Sequence, residues 1–132
     1  FLQRLMPKEA RLWNSLKTNL KNQLHLQRIE TGITAAGVPD VNCCYEGKEF
    51  WIELKSIKGN QLTLSPMQIA WMSTRAKFGG LCYVLVQKEK EIKLFRVVDL
   101  AQLKELTWKS EPTLHLKSPY EWGLLLKVFK NG

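Results

Sequence analysis

Asp40, Glu53 and Lys55 have the residue types that hydrolyse phosphodiesters, and their spacing could bring them together. Asp40 falls in the extended run Val38 to Tyr45, while Glu53 and Lys55 fall in Phe50 to Ile57. Between the runs lies Glu46-Gly47-Lys48-Glu49, and a glycine at the centre of so short a connection reads as a β-hairpin. With Gly47 and Lys48 as the turn residues, Asp40 is expected opposite Lys55 and Asn42 opposite Glu53. Side chains alternate along a strand, so these four polar groups share one face. The other face receives Val41, Cys43, Ile52 and Leu54, a set suited to a core.

In this register Asp40 and Glu53 are diagonal neighbours, with side-chain bases roughly 7 Å apart. Two carboxylates so close repel, and a packed core beside them leaves little solvent to screen the charge. Lys55 supplies part of the positive charge they need, and a hard divalent cation supplies the rest. Mg²⁺ is the expected cofactor, with Mn²⁺ substituting. Such an ion polarises a phosphate and lowers the pKa of a bound water, while Lys55 orients that water or offsets charge building on phosphorus. The chemistry that follows is phosphodiester hydrolysis.

Further motifs extend the pattern. Gly37-Val38-Pro39-Asp40, then Trp51-Ile52-Glu53-Leu54-Lys55-Ser56, then Leu64-Ser65-Pro66-Met67-Gln68 followed by Trp71 resembles the VRR-Nuc (virus-type replication-repair nuclease) branch of the PD-(D/E)XK superfamily. The resemblance covers about residues 9 to 86. It implies that Asp40 and Glu53 bind metal, that Leu54 offers its main-chain carbonyl, that Lys55 acts in catalysis and that Gln68 lies beside the site. It also implies a metal-proximal glutamate on the first helix, which Glu9 matches best. Glu30 is nearer in sequence and could complete the site instead. By the same resemblance the reaction is an in-line attack leaving a 5′-phosphate, and small stand-alone members are similar to Holliday junction resolvases, homodimers that set two active sites across a four-way junction.

Each of these residues also has a plainer reading. Glu9 early in a helix complements the helix dipole, Glu30 can pair with Arg28, and Gln68 can be an ordinary exposed helix residue. Arg28, Lys58, Arg75 and Lys77 are candidate phosphate contacts or simple surface charges. The five tryptophans read as core or interface residues more readily than as base-stacking platforms.

The elements that must position the site follow from periodicity. Leu12, Trp13, Leu16, Leu20 and Leu24 predict an amphipathic helix from Pro7 to Leu24 whose other face carries Lys8, Arg11, Lys17 and Lys21. Leu26 to Thr31 reads as a strand, followed by a small-residue loop from Thr31-Gly32 to Ala35-Ala36-Gly37. Ser65 and Pro66 predict the start of a second helix that runs to about Phe78 and stops at Gly79-Gly80. Leu81 to Val86 is almost continuously apolar, as a strand covered on both faces would be, and Ile92 to Val98 pairs with it across a charged turn. Asp99 caps a short helix through Leu106, and Thr107 to Pro119 is read as irregular. Ser118-Pro119-Tyr120-Glu121 reads as the start of a C-terminal helix. The expected fold class is α/β: a restriction-endonuclease-like α-βββ-α-β core, its mixed sheet flanked by helices, plus the C-terminal helix, in one domain over residues 1–132.

Composition narrows the function classes. A net charge of +8 favours an anionic partner such as DNA. Three cysteines, two of them adjacent, build neither a disulfide framework nor a C-x-x-C pair, and the two histidines have no zinc spacing. No apolar run is long enough for a membrane span. These features point to a reducing cytoplasm, which the resemblance implies is that of a bacterium or a phage-infected host cell. The expected function is a structure-selective DNA endonuclease acting on four-way junctions. A flap, nicking or duplex endonuclease and a non-catalytic DNA-binding module are the alternatives.

Overall fold

A computed structural model describes residues 7–30 and 36–132. The first six residues, and the part of the expected small-residue loop from Thr31 to Ala35, lie outside the described residues.

Helix α1 spans Pro7–Leu20. Leu12, Leu16 and Leu20, spaced four apart, bury fully against the sheet, which is why this stretch is helical. The helix ends four residues before the expected Leu24. The N–H groups of Gln23 and Leu24 both bond to the Leu20 carbonyl, tightening the last turn and delivering Leu24 to the same core.

Strands β1 (His25–Arg28), β2 (Val41–Tyr45) and β3 (Lys48–Ile57) form an antiparallel meander. Strand β1 sits earlier than the expected Leu26 to Thr31, and β2 starts three residues later than expected. The turn between β2 and β3 is Glu46-Gly47, not Gly47-Lys48, so Val41 pairs with Ile52 and Asn42 with Trp51. Both turn residues have positive φ, 49° and 81°, as a two-residue hairpin turn that follows strand twist requires. Placing Lys48 there would have put a long side chain in the second strained position, where glycine belongs. The correction is an even shift of two in pairing. Every side chain keeps its expected face, but Asp40, one step beyond Val41, comes level with Glu53 rather than Lys55.

Helix α2 (Pro66–Lys77) carries the chain across to β4 (Leu81–Lys88), which lies parallel to β3. Ser65 caps α2, and the Gly79 and Gly80 N–H groups close it on the Ala76 and Arg75 carbonyls. Strand β5 (Glu91–Arg96), α3 (Leu100–Glu105), β6 (Leu114–Lys117) and α4 (Gly123–Asn131) follow. The six strands lie in chain order, and β3 with β4 is the one parallel pair among those described.

Strand β6 lies inside the stretch expected to be irregular. Its four residues alternate apolar and polar, Leu114-His115-Leu116-Lys117, and they pair along β5. Helix α4 begins later than the expected start at Ser118. The Ser118 N–H bonds to the Lys90 carbonyl and holds the chain to the β4–β5 turn, and the Tyr120 and Trp122 rings meet edge-on before the helix begins.

The sheet is covered on both faces. Leu12, Ile52, Leu85 and Phe129 belong to the layer with α1 and α4, while Met72, Val84, Phe95 and Leu103 belong to the layer with α2 and α3. Strand β4 feeds both, Tyr83 and Leu85 to one side and Cys82, Val84 and Val86 to the other, which explains its unbroken apolar run. The mixed sheet flanked by helices is the α/β fold expected. Among the described residues no helix is long and apolar enough to cross a membrane.

Candidate active site

The polar face of β3 lies under the start of α2. Phe50, Ile52 and Leu54 point into the α1 layer, so alternation turns Trp51, Glu53 and Lys55 the other way. Glu53 is only 2% exposed, and it is the one buried charged side chain among the described residues. A carboxylate is not left so dry without compensation, and here the compensation is partial. Its Oε2 accepts from Gln68 Nε2 at 2.9 Å and lies 3.5 Å from Lys55 Nζ. Its Oε1, equally buried, has no hydrogen-bond partner.

Asp40 reaches the same place from the end of the loop before β2. Its backbone carbonyl accepts from the Ile29 N–H, continuing the β1–β2 ladder, and its Oδ2 accepts from the Leu54 N–H at 2.8 Å. Level with each other across the hairpin, the Asp40 and Glu53 carboxyl groups are close enough to act on each other's protonation. Between two acceptors such closeness is favourable only around a shared proton or cation. Burial first, then the Asp40 charge, push the Glu53 carboxyl up to about 8, despite Lys55. Asp40 is also raised by burial, against the pull of the Leu54 N–H, Arg28 and Lys55.

Gln68 joins the helix to the strand. Its backbone N–H donates to Ser65 Oγ, and its Oε1 accepts from the Ser65 N–H at 2.9 Å, completing a capping box. The same Oε1 accepts from Lys55 Nζ at 3.3 Å. The cap therefore fixes which end of the amide faces Glu53. Sequence reasoning put Gln68 beside the site but missed this reciprocal cap, which the Ser65-x-x-Gln68 spacing does signal.

The two candidate third acids separate. Glu9, in the first turn of α1, is half-buried and stands near Lys55, Asp40 and the Ser56 N–H; burial raises its carboxyl, with Lys55 opposing and Asp40 adding. Glu30 is exposed, and the main influences on Asp40 and Glu53 come from other groups. Among the described residues no group of three or more His, Cys, Asp or Glu side chains is arranged to hold a metal ion. The acidic donor set is thus the pair Asp40 and Glu53, with Glu9 at its margin. That pair suits a hard divalent cation: its oxygens are hard donors, one is an orphan, and burial raises both carboxyls despite the cations nearby.

The expected phosphate contacts are scattered. Arg28 lies beside Asp40 and donates to the Ile29 carbonyl. Arg75 is stacked 4.4 Å from the Trp71 ring centre and 5.9 Å from that of Trp51. Lys77 lines a shallow groove with Val98, Asp99 and Leu100, while Lys58 is exposed just past the end of β3.

Comparison with solved structures addresses the fold that carries this face. The chain is similar to Hjc, a Holliday junction resolvase from Archaeoglobus fulgidus, with a TM-score of 0.59 and 21% identity over 90% of this chain and 98% of that one. The chain shares the fold of Hjc. No protein-family model matches the chain, and no curated protein does. The finer likeness to the VRR-Nuc branch therefore stays with the motifs, while the resolvase fold accounts for nearly the whole chain.

Proposed function

We propose that this chain is a metal-dependent, structure-selective DNA endonuclease of the PD-(D/E)XK type that resolves four-way junctions by phosphodiester hydrolysis. The observation that carries this reading is the buried Glu53, its Oε1 unpartnered, set against Asp40 with Lys55 alongside. A merely structural strand face would not keep two carboxyls so close at such cost.

Asp40, Glu53 and the Leu54 carbonyl would hold Mg²⁺, for which Mn²⁺ could substitute. When bound, the ion polarises the phosphate and lowers the pKa of a water. The protein's own groups do the rest. Lys55 faces the reacting phosphate and offsets charge that grows on its oxygens. Gln68 keeps the Lys55 ammonium and the Glu53 carboxylate in fixed relation, so neither must reorganise during the reaction. Glu9, at the margin, is placed to accept a hydrogen bond from the attacking water. The product carries a 5′-phosphate.

The junction as substrate is supported by the likeness to Hjc, itself a Holliday junction resolvase. Acting as a homodimer, two copies would present two such faces to opposed strands. The test is cleavage of labelled four-way junction, flap and duplex DNA, with Mg²⁺ and with chelator. Paired cuts on opposed junction strands, with duplex spared, are expected. Equal cutting of flaps or duplex would make it a less selective nuclease, and no cutting with no metal binding would leave a DNA-binding module.

A further inference from the structure

A second polar groove opens one residue beyond Lys55, on the α1 side of the sheet end. It encloses about 620 Å³ between Lys8, Arg11 and Ser15 of α1 and Ser56 and Lys58 at the close of β3. Lys8, Arg11 and Ser15 fall on one helical stripe, next to the stripe of Leu12 and Leu16 that faces the core. Lys58 and Arg11 lie close enough to Lys8 to act on its charge. Three cations thus face one groove, where among the described residues Glu89 is the one acid in the lining. Like charges pressed together in this way are relieved by an anion between them.

Glu9 links the groove to the candidate site, close enough to act on Lys8 in the one and to feel Lys55 and Asp40 of the other. Ser56, which lines the groove, follows Lys55 directly, and its N–H is turned to Glu9. The outer side of α2 offers no comparable cradle. There Arg75 is laid over two tryptophans, and the groove beside it is lined by the exposed Met67 and Phe78.

We propose that the groove between α1 and the end of β3 is a phosphate subsite, in which Lys8, Arg11 and Lys58 grip the DNA backbone next to the phosphodiester presented to Lys55. The proposal rests on the nuclease reading for the identity of the strand. It gives that strand a direction, away from α2 and across the start of α1. Ser15 and Ser56 add hydroxyl donors, and no base is read, so the subsite serves every sequence alike.

The test is fluorescence anisotropy of a labelled four-way junction in chelator, where binding is read without cutting, at salt from about 50 to about 200 mM. Lys8→Ala/Arg11→Ala is expected to weaken binding about tenfold or more and to reduce the log–log salt slope by about two, at roughly 0.9 for each phosphate no longer neutralised. Lys104→Ala/Lys130→Ala removes the same charge from α3 and the end of α4, and it should change neither by as much. Ser15→Lys adds a cation to the groove and should tighten binding and steepen the slope, a gain that misfolding cannot imitate. Equal losses in both double variants, wild-type binding by the groove variant, or no gain from Ser15→Lys would each overturn the proposal. Cutting by the wild-type protein in Mg²⁺ is scored separately: its absence would sink the nuclease reading while leaving the binding result to decide the groove.

Discussion

Lys55 has two partners, Glu53 and Gln68, and neither is a structural anchor it alone supplies. Lys55→Ala should therefore leave the fold and most DNA affinity intact while cutting falls by at least about 10²-fold, the scale of losing one preorganised electrostatic group. Single-turnover cleavage beside an anisotropy titration checks this, and a parallel loss of affinity would contradict the assigned role. Asp40→Asn should abolish Mg²⁺ binding by calorimetry. Glu53 makes a pH prediction. Its carboxyl titrates near 8 in the metal-free fold against about 4.5 unfolded, so between those values the folded chain holds a proton that the unfolded chain has released. Stability from this group is present in full below about 4.5 and is lost as pH rises through about 8. Metal-free protein should melt at progressively lower temperature across that window, and Glu53→Gln should flatten the trend. A Tm that rises with pH over the same range would refute it. Residue types and alternation made Asp40, Glu53 and Lys55 legible from the sequence. The choice between Glu9 and Glu30 was not, because closeness along the chain says nothing of where the first turn of α1 docks.

At the scale of elements, the capping box of α2 is structure and site at once. Ser65→Ala removes the acceptor for the Gln68 N–H and should cost about 1 kcal/mol. It should also slow cutting beyond what stability explains, since Gln68 loses part of what orients it; Ser65→Asp, a competent cap, should recover stability. Urea melts and cleavage rates together separate the two effects. Gly37 tests the approach to Asp40. Its φ is +94° and an added Cβ would meet the Met67 carbonyl oxygen at 2.4 Å, so Gly37→Ala should destabilise by more than about 1 kcal/mol. Long amphipathic or wholly apolar elements, α1 and β4, were readable because burial dictates their period. The hairpin pairing was misread by two because face alternation is blind to an even shift and only turn chemistry decides it. Strand β6 went unread because four residues between Pro112 and Pro119 carry too short an alternation to stand out; their pairing with β5 decides their state.

For the molecule as a whole, the only partly compensated Asp40–Glu53 pair predicts linkage between metal and fold. Anything that binds the folded chain and not the unfolded one stabilises it, by about 2.7 kcal/mol at a hundred times the dissociation constant. Mg²⁺ should accordingly raise Tm, more at pH 8 than at pH 5, where protons compete for the same oxygens; Asp40→Asn should lose the response. A Tm indifferent to Mg²⁺ at either pH would count against the metal site. The two-sided sheet has a consequence for assembly. Its outer strands, β1 and β6, are four residues each and end in Arg28 and Lys117. Strands so brief, with a cation at the tip, are poor templates for a neighbour's main chain. Were two copies to pair, side chains on a helical flank would offer the better contact, and the packing of those helices would set the relative tilt of the two candidate sites.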